Sequence, residues 1–176
     1  MILYFLRHAS AGEPLSNPKK DETRALDKDG VNQCGYIGRA LTALETQVDS
    51  ILTSPLKRCT QTASLVANEL GHEAKLHLET ALRPGATFSD FRRMLEKYAR
   101  QDAVMVVGHN PNLSQFLGIL VGGAEADTAF DLKKGAIARV DLKRGGGTLQ
   151  WCLTPRVLRT LHDTAVESSR PKTSRK

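Results

Sequence analysis

Residues 103–110 read AVMVVGHN: five apolar residues in a row, then Gly108, His109 and Asn110. So short an uninterrupted run lacks the period-two alternation of a strand with one wet face, so both of its faces must be covered. That is the pattern of a central strand in a parallel sheet, and parallel neighbours need crossover connections, usually helices. The rest of the chain supplies them. Strands are predicted at 2–6, 49–53, 135–142 and 148–153, with a weaker alternating candidate, AKLHL, at 74–78. Helices are predicted at 31–47, 55–70, 89–100 and 111–121. The first keeps Cys34, Gly38, Leu41, Leu44 and Val48 on one side, and the second does the same with Leu56, Cys59, Ala63, Val66 and Leu70. Strand and helix in alternation predict a three-layer α/β/α sandwich with a mainly parallel central sheet and right-handed crossovers. NPKKDETR (17–24) and KRGGG (143–147) read as loops, and no internal repeat or interdomain linker is seen.

A chain of 176 residues, 40% hydrophobic, suffices for one domain with a sizeable core. It is placed at 1–162, followed by a basic, disordered tail at 163–176. The net charge of +6 invites a nucleic-acid reading, but of 25 Lys and Arg and 19 Asp and Glu, six basic and two acidic residues fall in the last 22. The body is therefore nearly neutral and has no basic stripe interleaved with aromatics, so no specific nucleic-acid partner is expected. No apolar stretch approaches a membrane span, and the N-terminal run is too short for a secretory signal, so a cytoplasmic monomer without membrane contact is expected. Cys34, Cys59 and Cys152 are odd in number and widely spaced, which suggests reduced, mostly buried thiols and no thiolate metal site. His72, His77 and His162 fit no ligand spacing, and Trp151 reads as core.

Three predicted strands end alike. The first runs into Arg7-His8, the second into TSPLKR (53–58), the third into VVGHNPN (106–112). Ligands of open parallel sheets sit beyond the carboxyl ends of the strands, which would gather His8, Arg58 and His109 in one crevice. Ser54-Pro55 reads as N-cap and first helical residue, with Gly71 as the stop; Asn110-Pro111 repeats the arrangement, with Gly122-Gly123 as the stop. Helix N-termini and the guanidinium forks of Arg7 and Arg58 together call for a phosphoryl anion. No Ser or Cys has the partners of an activated nucleophile. A neutral His8, its protonation disfavoured by the arginines, can attack phosphorus, while His109 hydrogen-bonds the phosphoryl oxygens.

These residues resemble a known family. LRHAS, SPLKRCTQTA and VVGHNPNLS, in that order over roughly residues 1–155, are similar to the histidine phosphatase superfamily, which includes the phosphoglycerate mutases, and most to its SixA-type phosphohistidine phosphatases. The resemblance implies a phosphoglycerate mutase-like fold and hydrolysis through a covalent phosphohistidine, without cofactor or metal. It makes His8 the phosphoryl acceptor and Arg7, Arg58 and His109 the phosphate pocket. The segment DETRALDKDG also looks like the SixA-type loop and brings Arg24 to the phosphate. Ala9 stands where the founding motif has glycine, as in many SixA-like sequences. The mutase and acid-phosphatase branches also carry a carboxylic acid that protonates an alcohol leaving group. Here HLETALRPGATFSDF offers only Glu79, without a convincing match. An imidazole with its other nitrogen protonated leaves readily as a neutral ring, so the implied substrate is phosphohistidine in a signalling or phosphotransfer protein. The alternatives are a small phosphorylated metabolite and, more remotely, a non-catalytic phosphate- or polyanion-binding module.

Overall fold

The computed structural model describes residues 1–71, 76–123 and 130–168. In chain order the elements are β1 (Ile2–Arg7), α1 (Pro18–Glu22), α2 (Lys28–Ala43), β2 (Ser50–Thr53), α3 (Lys57–Glu69), β3 (His77–Leu78), a 3₁₀ turn (Thr80–Leu82), α4 (Phe88–Glu96), β4 (Ala103–Gly108), α5 (Asn112–Gly122), β5 (Ile137–Lys143), β6 (Gly146–Leu153) and α6 (Pro155–Ser168). One six-stranded sheet has the order β3-β2-β4-β1-β5-β6. Its first four strands are mutually parallel; β5 and β6 continue it antiparallel.

The apolar run predicted to be covered on both faces is so covered. Val104 and Val106 join Leu3, Phe5 and Leu52 beneath α4 and α5, where Phe91, Met94, Phe116 and Leu117 close the core. Met105 and Val107 join Tyr4, Leu6 and Ile51 on the opposite face, against Cys34, Ile37 and Leu41 of α2 and Cys59, Ala63 and Val66 of α3. Successive strand residues thus feed opposite layers, as the pleat requires. Gly38 lets α2 lie close on α3: a Cβ there would stand 2.2 Å from the Cβ of Glu69.

Several boundaries differ from the sequence reading. NPKKDETR is not a plain loop. Asn17 caps α1, accepting from the N–H groups of Lys19 and Lys20, with Pro18 in the first turn. Helix α2 starts at Lys28 because Asp27 caps it by accepting from Gly30 N–H at 2.7 Å. Helix α3 starts at Lys57, with Leu56 at the cap position and no capping side chain, so Ser54-Pro55 are not its N-cap and first residue. Helix α5 likewise starts at Asn112, after a cis Asn110-Pro111 peptide, with Pro111 rather than Asn110 at the cap. The expected stops hold, since Gly71 and Gly123 take φ of +63° and +85°.

Helix α6 went unpredicted, and residues 163–168 of the expected tail belong to it; residues 169–176 lie outside the described ones. Its sequence is polar, with two arginines and two acids, but Leu158 is buried against the α2 side of the sheet. Of the three free cysteines, Cys34 and Cys59 are buried and Cys152 is exposed, in keeping with mostly buried thiols. Trp151 is half-buried against Tyr4. His162 meets Tyr36 at a tilt and His77 meets Tyr98 edge-on, while His72 lies outside the described residues. Among the described residues no helix is long and apolar enough to cross a membrane.

Candidate active site

Strand β4 aligns the two strand exits beside it. His8 N–H donates to Gly108 C=O at 3.0 Å, and Ser54 N–H donates to Val107 C=O at 2.9 Å. The ladder therefore continues one residue past the strands and sets the residues after β1 and β2 beside His109, the first residue beyond β4. The imidazoles of His8 and His109 lie 5.1 Å apart, centre to centre, and both are buried. Residues separated by a hundred positions in sequence meet here, as the three strand ends predicted.

His8 has a defined tautomer. Its Nδ1 lies 2.8 Å from Ala9 C=O, which can only accept, so Nδ1 carries the proton and Nε2 holds the lone pair. Burial depresses its pKa to about 4, and the charges of Arg58, Arg7 and Lys134 push the same way. His8 is thus neutral at pH 7. The loop holding it is fixed from behind: Ala9 N–H donates to Thr62 Oγ1 at 3.1 Å, and that hydroxyl donates to Arg58 C=O at 2.7 Å. Ser10 N–H donates to Gln33 Oε1, while Asp27 accepts from both Ser10 Oγ and Gly12 N–H. A Cβ on Gly30 would fall 2.0 Å from Ser10 C=O, so only glycine lets α2 approach this loop.

His109 is lowered further, to about 2, by burial first and then by His8, Arg58, Arg7 and Arg83. Its Nε2 sits 2.9 Å from Ser54 Oγ and 3.3 Å from Cys59 Sγ. Burial raises the Cys59 thiol to about 12, which leaves it protonated and no nucleophile.

Arg7 donates from one terminal nitrogen to Leu132 C=O at 2.7 Å, and Asn110 Nδ2 donates to the same oxygen. Arg58, in the first turn of α3, donates to both the carbonyl and the carboxylate of Asp21. The Nε atoms of Arg7 and Arg58 are buried without a hydrogen-bond partner. Arg24 reaches the same cluster indirectly: its Nε pairs with Asp21 at 2.8 Å, and a terminal nitrogen donates to the carbonyls of Ala11 and Gly12. Its guanidinium thus holds Asp21 and the loop after β1. Glu79 stands at the carboxyl end of β3, its N–H donating to Thr53 C=O, but its carboxylate is engaged by Tyr98 Oη at 2.9 Å and Lys97 Nζ at 3.4 Å.

Sequence reasoning missed Asp21, Thr62, Arg83 and Lys134. Thr62 had a readable signal, lying one helical turn after Arg58 on the same face. The others come from loops and α1, whose courses follow no periodic pattern.

The family model described as histidine phosphatase superfamily (branch 1) matches residues 3–84. An uncharacterized protein of Picosynechococcus is 33% identical over 153 residues, covering 85% of this chain and 89% of that one. The chain belongs to the histidine phosphatase superfamily. Within it, the phosphohistidine phosphatase SixA of Escherichia coli is 23% identical over 88% of this chain and 94% of its own. A solved structure of the protein histidine phosphatase SixA complexed with tungstate superposes with a TM-score of 0.80, at 23% identity over 90% of this chain and 99% of that one. Alpha-ribazole phosphatase of Shigella flexneri superposes at 0.69, with 18% identity over 88% and 97% of the two chains. These structural matches establish the fold, which this superfamily shares among phosphatases of different substrates.

Proposed function

We propose that the protein hydrolyses phosphohistidine through a covalent intermediate on His8. One observation carries the reading: a neutral imidazole, with its free lone pair on Nε2, shares a buried site with His109 and two arginines whose Nε donors lack partners. Burying guanidinium donors unsatisfied is unfavourable, and a tetrahedral anion would supply their acceptors.

In the first step His8 Nε2 donates its lone pair to phosphorus. The bond from phosphorus to the substrate imidazole breaks, and that ring, its other nitrogen already protonated, leaves with the electron pair as neutral imidazole. Arg7, Arg58 and His109 stabilise the charge spread over the phosphoryl oxygens. Water then attacks the same phosphorus, releasing inorganic phosphate and regenerating His8. The engagement of Glu79 by Tyr98 and Lys97 supports a leaving group that needs no acid. In this reading the partner is a phosphorylated protein, met by a monomer in the cytoplasm, and the reaction uses no metal.

The rival is a small-metabolite phosphomonoesterase using Glu79 as acid, favoured by the position of that residue at the carboxyl end of β3. Turnover of phosphohistidine protein, phosphoserine, sugar phosphates and an aryl phosphate separates the two. The phosphohistidine reading expects the first to be preferred, with radiolabelled phosphate trapped on the wild type and absent from His8→Ala. Undiminished turnover by His8→Ala would remove His8 as nucleophile.

A further inference from the structure

The loop after the 3₁₀ turn brings one more cation to the mouth of the site. Leu82 C=O packs against Gly108, where a Cβ would meet it at 3.3 Å, and Gly85 N–H donates to Asn112 Oδ1 at 3.4 Å. Asn112 Nδ2 also donates to Ala86 C=O at 2.5 Å. The backbone around Arg83 is thereby fixed to both sides of His109, at the exit of β4 and the start of α5.

The side chain of Arg83 is placed differently from that of Arg58. Helix α1 presents two consecutive acids, and each pairs with an arginine of the site: Asp21 with Arg58, Glu22 with Arg83. The first pair is sheltered, with side chains 6% and 20% exposed for Arg58 and Asp21. The second lies on the rim, at 37% and 49% for Arg83 and Glu22. An exposed ion pair contributes little net stability, because water competes for both partners. An incoming anion can therefore exchange with Glu22 readily, and the planar fork of Arg83 suits a carboxylate or phosphate in two-point contact.

We propose that Arg83 binds a second anionic group of the substrate, next to the reacting phosphoryl group, and that Glu22 occupies that subsite until the substrate displaces it. The proposal rests on the phosphatase reading above and assigns a specificity determinant to the same site. The second anion has two sources, an acidic side chain flanking phosphohistidine in a protein or a carboxylate on a small phosphorylated molecule.

Two substrate pairs test it: phosphohistidine peptides with flanking Asp or flanking Asn, and 3-carboxyphenyl phosphate against phenyl phosphate. The quantity read is the ratio of kcat/KM for the acidic over the neutral member. Arg83→Gln is expected to lower that ratio about tenfold, mostly through KM. Glu22→Gln is expected to raise it two- to threefold, and Arg83→Lys, which keeps charge but loses the fork, to fall between. A response confined to the peptide pair assigns the anion to a protein substrate; one confined to the aryl pair assigns it to a small molecule. A ratio within twofold of wild type in Arg83→Gln for both pairs, with the neutral members still turned over, overturns the subsite and leaves the phosphatase reading standing. A wild type inert towards all four compounds overturns both.

Discussion

The floor and the roof of this site are built by opposite means. The floor is the set of strand exits: His8 and Ser54 extend the β4 ladder through backbone hydrogen bonds, and His109 follows β4 directly. The roof is α1 and its flanks, held down by Asp21 on Arg58 and Arg24 and by Glu22 on Arg83. Backbone ladders are stiff and insensitive to solvent conditions, whereas ion pairs can be exchanged for other anions and weaken with salt as they become exposed, Glu22 with Arg83 more than the sheltered Asp21 with Arg58. On the reading proposed above, groups that must be placed within a fraction of an ångström for chemistry lie on the first, and groups that choose among substrates lie on the second.

Removing the proposed nucleophile from the floor is the largest test. His8→Ala is expected to lower kcat by at least about 10⁴-fold on an aryl phosphate, the scale at which loss of a catalytic nucleophile is felt. His109→Gln should lose roughly 10²–10³-fold, as for one donor to a developing charge. The support of the floor is tested by Gly30→Ala, whose methyl group would overlap Ser10 C=O. Chemical denaturation should show about 3 kcal/mol lost, with the ¹H–¹⁵N resonances of residues 9–12 shifted.

The roof should answer more gently. Asp21→Asn should raise KM by a factor of about three to ten with kcat changed less, a difference that added salt should leave largely in place because this pair is sheltered. A loss as large as that of His109→Gln would mean that α1 belongs to the floor.

The smallest effect concerns pH. With the folded pKa of His8 near 4, single-turnover transfer from phosphohistidine should fall less than twofold between pH 7 and pH 5 and turn down only as protonation removes the lone pair near pH 4. An ordinary imidazole would already be mostly protonated at pH 5. The linkage to stability has the same sign: the unfolded chain takes up the protons first, so stability drops as pH falls from about 6.5 towards 4.

The floor was legible in the sequence because periodic patterns locate strands and strand ends locate side chains. AVMVVGHN announces both a buried strand and the residue beyond it, and the same logic places His8 and Arg58. The roof was not legible. Helix α1 is five residues long, too short for a periodic face, and no residue of it is buried. Arg24 was placed near the site by resemblance alone, and the structure gives it Asp21 and two carbonyls as partners. The sequence places the helix starts after β2 and β4 too early because Pro55 and Pro111 suit the first helical position, whereas Leu56 and Pro111 hold the cap positions. Helix α6 is hard to see in the sequence because it carries Arg156, Arg159, Asp163 and Glu167 and Leu158 is its one deeply buried leucine, so the segment resembles a polar tail more than a packed element.

Strand β4 serves as the common ruler for three neighbouring exits. Adding or deleting one residue within it would slide His109 by about 3.3 Å against His8 and turn it to the other side of the sheet. The length of this strand is therefore the dimension that descent with changing substrates has to keep, while insertions and rewritten charges can accumulate in α1 and around Arg83 without disturbing the pair of imidazoles.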